Sequence, residues 1–142
     1  MTARQTSCGV IVTDGERVLL GHATRSPRWD IPKGSAEPSE TFPVAAAREL
    51  LEETGLVIAP EALTDLGVHH YLRGRDLALF VWKAAQLPDP RRLTCTSRFA
   101  LPNGTLLPEF DRFGLFAWED ALSLVGKNLA RVLASVRQIV IR

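Results

Sequence analysis

The sequence has few cysteines, no long apolar run and no strong excess of charge of either sign. Its two cysteines, Cys8 and Cys95, are too few for a disulfide framework or a cysteine-rich zinc site. We expect both to be buried free thiols in a reducing compartment. No segment reaches the roughly 18–20 consecutive apolar residues of a membrane-spanning helix, and residues 1–7 lack the apolar core of a signal peptide. These features predict a soluble, cytoplasmic protein.

The composition is that of an ordinary globular domain. Of the 142 residues, 46% are hydrophobic and 23% are charged, which suits a chain that buries its own core. The 17 basic and 16 acidic residues leave a net charge of +1, which excludes a protein that binds nucleic acid through bulk charge. A small basic pocket for a phosphorylated ligand is still compatible with this balance. Because no repeat, low-complexity tract or linker interrupts the chain, we predict a single domain over residues 1–142.

The pattern of apolar residues predicts a mixed α/β sandwich. We predict strands over residues 8–13, 17–22, 64–72, 76–85 and 113–117. The dipeptide Asp14-Gly15 indicates a hairpin between the first two strands, and Pro102-Asn103-Gly104 indicates the tip of another. The strand over 76–85 is apolar on both faces, so we expect it to be central. Two helices, over 118–125 and 128–140, are predicted near the end of the chain.

A further helix is predicted over residues 41–54, after a long loop at 23–39 that holds only a short strand at 29–31. Thr41 is the preferred N-cap because it places Pro43 in the first turn, where the missing N–H is tolerated. Gly55 supplies the stop.

The two faces of this helix differ in character. Glu49, Glu52 and Glu53 lie on one narrow face at about 100° per residue. On the opposite face we expect three apolar residues to pack against the sheet, namely Val44, Ala47 and Leu51. The three carboxylates repel one another and lie in the C-terminal half, where the helix dipole disfavours negative charge. A hard cation such as Mg²⁺ or Mn²⁺ would make this arrangement favourable, because such ions prefer carboxylate oxygens.

The stretch around this helix resembles the Nudix box of the Nudix hydrolase superfamily. That pattern is Gly, five residues, Glu, seven residues, then Arg-Glu-apolar-any-Glu-Glu-any-Gly-apolar. It is filled here by Gly34, Glu40, Arg48, Glu49, Leu50, Glu52, Glu53, Gly55 and Leu56. From average residue frequencies, a chance match is on the order of 10⁻⁷. The resemblance implies an α/β/α sandwich with a mixed sheet, a catalytic loop–helix–loop and a C-terminal helix.

By this resemblance the chain hydrolyses a nucleoside diphosphate linked to another moiety, with Mg²⁺ or Mn²⁺ as cofactor. Glu52 and Glu53 are then the core metal ligands, Glu49 is a further ligand or a base, and the carbonyl of Gly34 completes the shell. The metal neutralises diphosphate oxygens and activates the attacking water.

The resemblance also implies roles for Arg48, Glu40 and Glu109. Arg48 is expected to orient one of the box glutamates through a bidentate contact. Glu40, near the helix start, suits a structural role as well as a catalytic one. The base is Glu49 in the preferred interpretation, and Glu109, which precedes the last strand, is the alternative.

The substrate is defined less sharply by the sequence. Residues 28–34 look like the lead-in of dinucleoside polyphosphate hydrolases, and the short chain is similar to MutT-like enzymes that act on nucleoside triphosphates. Arg28 and Lys33 are candidates for phosphate contacts. Trp29 either stacks a base or caps the sheet.

Three alternatives remain for the activity: an ADP-sugar hydrolase, a diphosphoinositol polyphosphate hydrolase, and a non-catalytic module that binds nucleotides. The second would need the basic residues to converge in one pocket, namely Arg25, Arg28, Lys33, Arg73, Arg75, Arg91 and Arg92. The sequence is compatible with a monomer or a homodimer.

Overall fold

The elements of the fold follow the predicted order closely. A computed structural model describes residues 4–141. The strands are β1 (Gln5–Thr13), β2 (Arg17–Ala23), β3 (Trp29–Asp30), β4 (Lys33–Ser35), β5 (Thr64–Leu72), β6 (Arg75–Lys83), β7 (Arg98–Ala100), β8 (Leu106–Pro108) and β9 (Phe110–Ala117). The α-helices are α1 (Phe42–Thr54), α2 (Trp118–Leu124) and α3 (Lys127–Val140).

Seven strands form one mixed sheet in the order β3-β2-β1-β6-β5, with β4 beside β1 and β9 beside β2. β1 and β6 are parallel, with Gln5 opposite Arg75 and Thr13 opposite Lys83 at the two ends. The other pairs are antiparallel. β6 lies between β1 and β5, which confirms the central position predicted from its two apolar faces. β7 and β8 form the predicted second hairpin as a separate sheet.

The first hairpin differs from the prediction in an informative way. β1 and β2 are joined by the turn at Asp14-Gly15, but they pair only at Thr13 opposite Val18. Beyond that pair the strands diverge, because other strands pair with their facing edges: β1 pairs with β4, and β2 pairs with β3 at Gly21 and His22. The short strand β4, which was not predicted, carries Gly34 of the box and enters the gap. The box loop is therefore held inside the sheet and not above it.

Two apolar layers cover the two faces of the sheet. One layer packs with α2 and α3 and includes Ile11, Leu79 and Leu133, all fully buried. The other packs with α1 and includes Val10 and Leu50. The alternation of adjacent residues of β1 between the two layers follows from the two-residue period of a strand. The predicted α/β sandwich is confirmed.

The prediction for the packed face of α1 is wrong. Val44 and Leu51 are 44% and 45% exposed, and Ala47 is only half-buried. The helix instead turns Ala45, Ala46 and Leu50 toward the sheet, together with Glu49 and Glu53. The small alanines let the helix approach closely, and the glutamates are buried because β4 lies beside them. Amphipathic periodicity alone assigns charged residues to solvent, so it selected the opposite face.

The predicted ends of α1 are confirmed. Thr41 is the N-cap residue and Pro43 is in the first turn, although Thr41 makes no side-chain cap hydrogen bond. Gly55 has φ 82° and donates its N–H to the carbonyl of Leu51. This left-handed conformation favours glycine, because a side chain there is strained.

Strand β9 begins earlier than predicted, at Phe110. Phe110 is buried and its ring lies against Gly21, where an added Cβ would be 2.3 Å from a ring carbon. Both cysteines are free and buried, as predicted. Within residues 4–141, no helix is long and apolar enough to cross a membrane.

The α3 layer provides a test of this packing. Leu133 is fully buried, whereas Ile139 on the same helix is 57% exposed. We expect Leu133→Ala to lower the free energy of unfolding by about 2–5 kcal/mol, because it leaves a cavity. Ile139→Ala should change it by less than about 0.5 kcal/mol. Chemical denaturation of both variants checks this, and equal effects would contradict the assigned face of α3.

Candidate active site

Glu49 lies against the glycine of the box. Its carboxylate packs on the backbone of Gly34, where an added Cβ would be 2.2 Å from the carboxyl carbon. Glu49 is 9% exposed, and burial raises the pKa of its carboxyl, while the Arg48 guanidinium opposes that shift. The absence of a side chain at residue 34 is therefore what makes room for this carboxylate.

Glu53 is the most deeply buried of the box glutamates. It is 3% exposed, and its Oε1 accepts a hydrogen bond from the backbone N–H of Lys33 at 2.8 Å. Its carboxyl group also shares a hydrogen bond with Glu109. Burial, with smaller contributions from Glu109 and Glu49, raises the pKa of Glu53 to about 9. Near neutral pH this carboxyl therefore holds a proton in the metal-free protein.

Arg48 connects the glutamates at the surface of the site. Its Nε and Nη2 donate to the two carboxylate oxygens of Glu40 at 2.7 and 2.8 Å. Its Nη1 donates to Glu49 at 2.9 Å and lies 3.4 Å from both oxygens of Glu52, whose side chain is partly exposed. The bidentate contact predicted for Arg48 is thus made to Glu40, and a box glutamate of α1 receives a single donor. The same guanidinium lowers the pKa of Glu40 to about 2.

The donors around Glu49 and Glu53 fit a hard divalent cation by their chemistry. They are carboxylate oxygens, and burial raises the pKa values of two of these groups. The Glu49 carboxylate occupies the space that a side chain at residue 34 would fill. Within residues 4–141, however, no three His, Cys, Asp or Glu side chains are already arranged to bind one ion. Binding of a cation would therefore require these side chains to move, because Arg48 now donates to Glu49 and the Glu53 carboxyl is hydrogen-bonded with Glu109.

Lys33 is held by neighbours on the other side of its strand. Its Nζ lies 3.0 Å from Oδ2 of Asp30 and 5.6 Å from the centre of the Tyr71 ring. Burial alone would lower the pKa of Lys33, but Asp30 reverses this and raises it overall. Neither Asp30 nor Tyr71 was a predicted site residue. The opposite charge three residues before Lys33 was a usable signal for Asp30, whereas nothing marked the lone tyrosine.

The ring of Trp29 is surrounded by protein. It makes edge-to-face contacts with His22 and Phe116, at 5.2 and 4.9 Å between ring centres. The guanidinium of Arg112 lies 5.3 Å from the ring centre. Trp29 also packs against the apolar layer beneath α3. These contacts match the capping role that the sequence left open for Trp29 more closely than the stacking role.

The basic residues outside the box are spread over the molecule. Arg28 is exposed and lines a cavity of about 100 Å³ beside the start of α3. Arg75 donates to the hydroxyl of Ser7 at 2.8 Å, and Arg91 is paired with Asp89 in a separate 3₁₀ turn. They do not converge into the dense basic pocket that a diphosphoinositol polyphosphate would need.

The family is settled by comparison with known proteins. A family model described as the NUDIX domain matches residues 3–131. The chain belongs to the Nudix family. It is 36% identical over 138 residues to an uncharacterised 17.7 kDa protein of Enterobacteria phage T4, with 89% of this chain and 91% of the relative covered. It is 34% identical over 67 residues to a putative 8-oxo-dGTP diphosphatase of Bacillus subtilis, with 47% and 44% covered.

The Nudix fold is also found among solved structures. The dihydroneopterin triphosphate pyrophosphohydrolase of E. coli superposes with a TM-score of 0.69 and 20% identity over 99% of both chains. The predicted resemblance and fold are thus confirmed. The chain is a Nudix diphosphohydrolase, an enzyme that hydrolyses pyrophosphate bonds, and Nudix hydrolases generally use divalent metal ions.

Gly34→Ala tests the contact with Glu49. The new Cβ would displace the carboxylate and leave the core unchanged, so we expect the variant to fold. Its affinity for Mn²⁺ in a calorimetric titration should fall by about 10- to 100-fold. Ser39→Ala, an exposed change in the same loop, is the control and should bind Mn²⁺ like the wild type. Unchanged affinity of Gly34→Ala would contradict the assigned geometry.

The raised pKa of Glu53 predicts a pH effect on the metal-free protein. The folded state binds this proton more tightly than the unfolded state, so the contribution of Glu53 to stability is fully present below pH 4.5 and is lost as pH rises toward 9. Glu53→Gln should abolish this part of the fall. A glutamine can accept from Lys33 N–H and donate to Glu109, so the variant should equal or exceed the wild type in stability at pH 8. Denaturation in EDTA at pH 5 and pH 8 checks this, and a strongly destabilised variant at pH 8 would contradict it.

Proposed function

We propose that the chain hydrolyses a phosphoanhydride bond of a nucleoside triphosphate or a dinucleoside polyphosphate, with Mg²⁺ or Mn²⁺ as cofactor. The metal would be held by Glu49, Glu52, Glu53 and the carbonyl of Gly34. The observation that carries the proposal is the buried Glu53 carboxyl, which shares a hydrogen bond with Glu109 and lies near Glu49. A buried group of acids that repel one another is costly to fold, and a bound cation offsets that cost.

The bound metal would supply charge neutralisation of the diphosphate and a lower pKa for the attacking water. The residues of the chain do the remainder. Lys33 N–H fixes one oxygen of Glu53, Gly34 fixes the place of Glu49, and Glu40 anchors Arg48 through two hydrogen bonds. These contacts hold the carboxylates in position before substrate arrives, which reduces the reorganisation needed for reaction.

We assign the general base to Glu109 in preference to Glu49, which the sequence had favoured. The Glu49 carboxylate packs on Gly34 and accepts a charge-assisted hydrogen bond from Arg48 at 2.9 Å, so one of its oxygens is already engaged. Glu109 instead contacts the Glu53 carboxyl, so it already faces the group of acids. It comes from a loop outside the box, so its loss need not remove the metal.

The substrate is expected to extend from the carboxylates toward α3. Lys33 joins the two regions, because its N–H contacts Glu53 and its ammonium group lies by Tyr71. Tyr71, Arg28 and Asn128 line the same small cavity. The Lys33 ammonium and the Tyr71 ring lie next to the proposed diphosphate site, where they could contact the sugar and base of a nucleotide. The name of the Bacillus subtilis relative, an 8-oxo-dGTP diphosphatase, agrees with a nucleoside triphosphate.

The expected compartment and assembly state belong to the same proposal. Two free cysteines, both buried, are consistent with the reducing environment of the cytoplasm. A small-molecule nucleotide is the expected partner, and the enzyme would act as a monomer or homodimer.

A substrate panel tests the proposed activity. The purified chain is incubated with dGTP, 8-oxo-dGTP, diadenosine tetraphosphate, ADP-ribose and a diphosphoinositol phosphate, with Mg²⁺ or Mn²⁺, and products are separated by chromatography. We expect cleavage of a triphosphate or the dinucleotide. Glu53→Gln and Glu109→Gln should each lower kcat by about 10²–10⁴-fold. Glu61→Gln, an exposed change, should not alter it.

Metal titrations of the same variants separate the roles of the acids. Glu109→Gln should keep its Mn²⁺ affinity within about threefold of the wild type, whereas Glu49→Gln and Glu53→Gln should lose at least about tenfold. An equal loss of Mn²⁺ affinity in all three variants would contradict the assignment of Glu109 as a base that does not bind the metal. Cleavage of ADP-ribose or the inositol substrate alone would contradict the proposed substrate, and tight binding without any product would favour a non-catalytic module.

A further inference from the structure

The segment at residues 94–97 is bound to the C-terminal turn of α1. The carbonyls of the last turn of a helix have no partner inside the helix. Here the carbonyl of Glu52 accepts three hydrogen bonds, from Thr96 N–H at 2.7 Å, Thr96 Oγ1 at 3.1 Å and Ser97 N–H at 3.1 Å. The carbonyl of Thr54 accepts a fourth, from Thr94 N–H at 3.0 Å. We call residues 94–97 the strap.

The same segment also binds Glu109. The carbonyl of Ser97 accepts the backbone N–H of Glu109 at 2.9 Å. On its other side, the carbonyl of Glu109 accepts the N–H of Thr24 at 3.1 Å. Ser97 and Glu109 are the two ends of the β7–β8 hairpin, whose first pair is Arg98 opposite Pro108. The hairpin therefore begins and ends at the hydrogen bond between Ser97 and Glu109, so the number of residues in the hairpin does not determine where Glu109 lies.

One residue thus joins two acids that are distant in sequence. Ser97 donates to the backbone of Glu52 and accepts from the backbone of Glu109. The Glu109 side chain lies beside the Glu53 carboxyl. A flexible loop would let it move away. The four hydrogen bonds to the end of α1 oppose such a movement.

We propose that Thr96 and Ser97 are positioning residues that hold Glu109 against the carboxylates of α1. This proposal rests on the proposed function of Glu109 as the base. The strap fixes the backbone of Glu109 to the same helix that carries Glu49, Glu52 and Glu53, so the base and the acids keep one geometry. Loosening the strap lowers the fraction of molecules in which Glu109 is in place, and leaves substrate binding unchanged.

Substitutions at Thr96 test the strap by a split between kcat and KM. Thr96→Val keeps the shape of the side chain but removes the hydroxyl donor to Glu52. We expect kcat to fall by about 3- to 10-fold, with KM within twofold, and more for Thr96→Gly, which also loosens the backbone. Thr96→Ser keeps the donor and should restore kcat. Thr94→Val is the matched control, because Thr94 is an exposed threonine of the same segment bound only through its backbone.

Amide hydrogen exchange provides a readout that does not depend on activity. In Thr96→Val and Thr96→Gly, the backbone amides of Ser97 and Glu109 should exchange at least about threefold faster, while amides in α3 should not change. Thr94→Val should leave the Glu109 amide as in the wild type. Unchanged exchange at the Glu109 amide, or kcat values for Thr96→Val equal to those of Thr94→Val, would overturn the proposal that the strap positions Glu109. If the wild type cleaves no substrate but Glu109 exchange responds as expected, the proposed function fails and the strap stands.

Discussion

The burial of two carboxylates between α1 and β4 is the constraint on which the rest of this structure depends. Glu49 and Glu53 face the sheet and not the solvent, at positions where apolar residues usually pack. Several features exist because of this. Gly34 has no side chain that would occupy the same space, Lys33 offers its N–H, and Ala45 and Ala46 let the helix approach closely. Burial, with smaller contributions from Glu109 and Glu49, raises the pKa of Glu53, so this carboxyl keeps its proton more readily than an exposed glutamate does.

The stability that permits this burial comes from elsewhere in the fold. Each face of the sheet is covered by its own apolar layer, one with α1 and one with α2 and α3. Burial of such side chains contributes about 1.5–3 kcal/mol each, so a few of them offset one unfavourable carboxylate. The Arg48–Glu40 contact adds a rigid anchor at the edge of the site. Packing and the proton on Glu53 keep these acids together.

The sequence was sufficient for the local features and insufficient for the long-range ones. The helix α1, its N-cap Thr41 and its stop at Gly55 follow from local rules on proline and glycine, and all three were predicted. The packed face of α1 was not, because amphipathic periodicity treats a glutamate as a surface residue whatever lies next to it. The divergence of β1 and β2 depends on the competing partners β4 and β3, which no local turn signal reveals.

The residues of the site also fall into those that a local sequence pattern predicts and those that only the fold brings together. The box named the glutamates of α1, since their spacing is a local pattern, and Glu109 entered only as an alternative. Glu109 lies beside Glu53, and its backbone donates to the carbonyl of Ser97 and accepts from the N–H of Thr24, both of which lie outside the box. Tyr71 became visible only when the strands placed it beside Lys33, whereas Asp30 is three residues before Lys33 in the sequence. Residues of one helix are therefore predictable as a group, and residues brought together by loops are not.

Anomalous diffraction from a crystal soaked in Mn²⁺ tests the central claim most directly. The account predicts a peak beside α1, with carboxylate oxygens of Glu52 and Glu53 at distances near those of oxygen ligands, about 2.0–2.6 Å. It also predicts that the Glu53–Glu109 hydrogen bond is broken when the ion is bound. An ion bound elsewhere, or a fully soaked crystal in which the Glu53 and Glu109 side chains still contact each other, would contradict the assignment of this site.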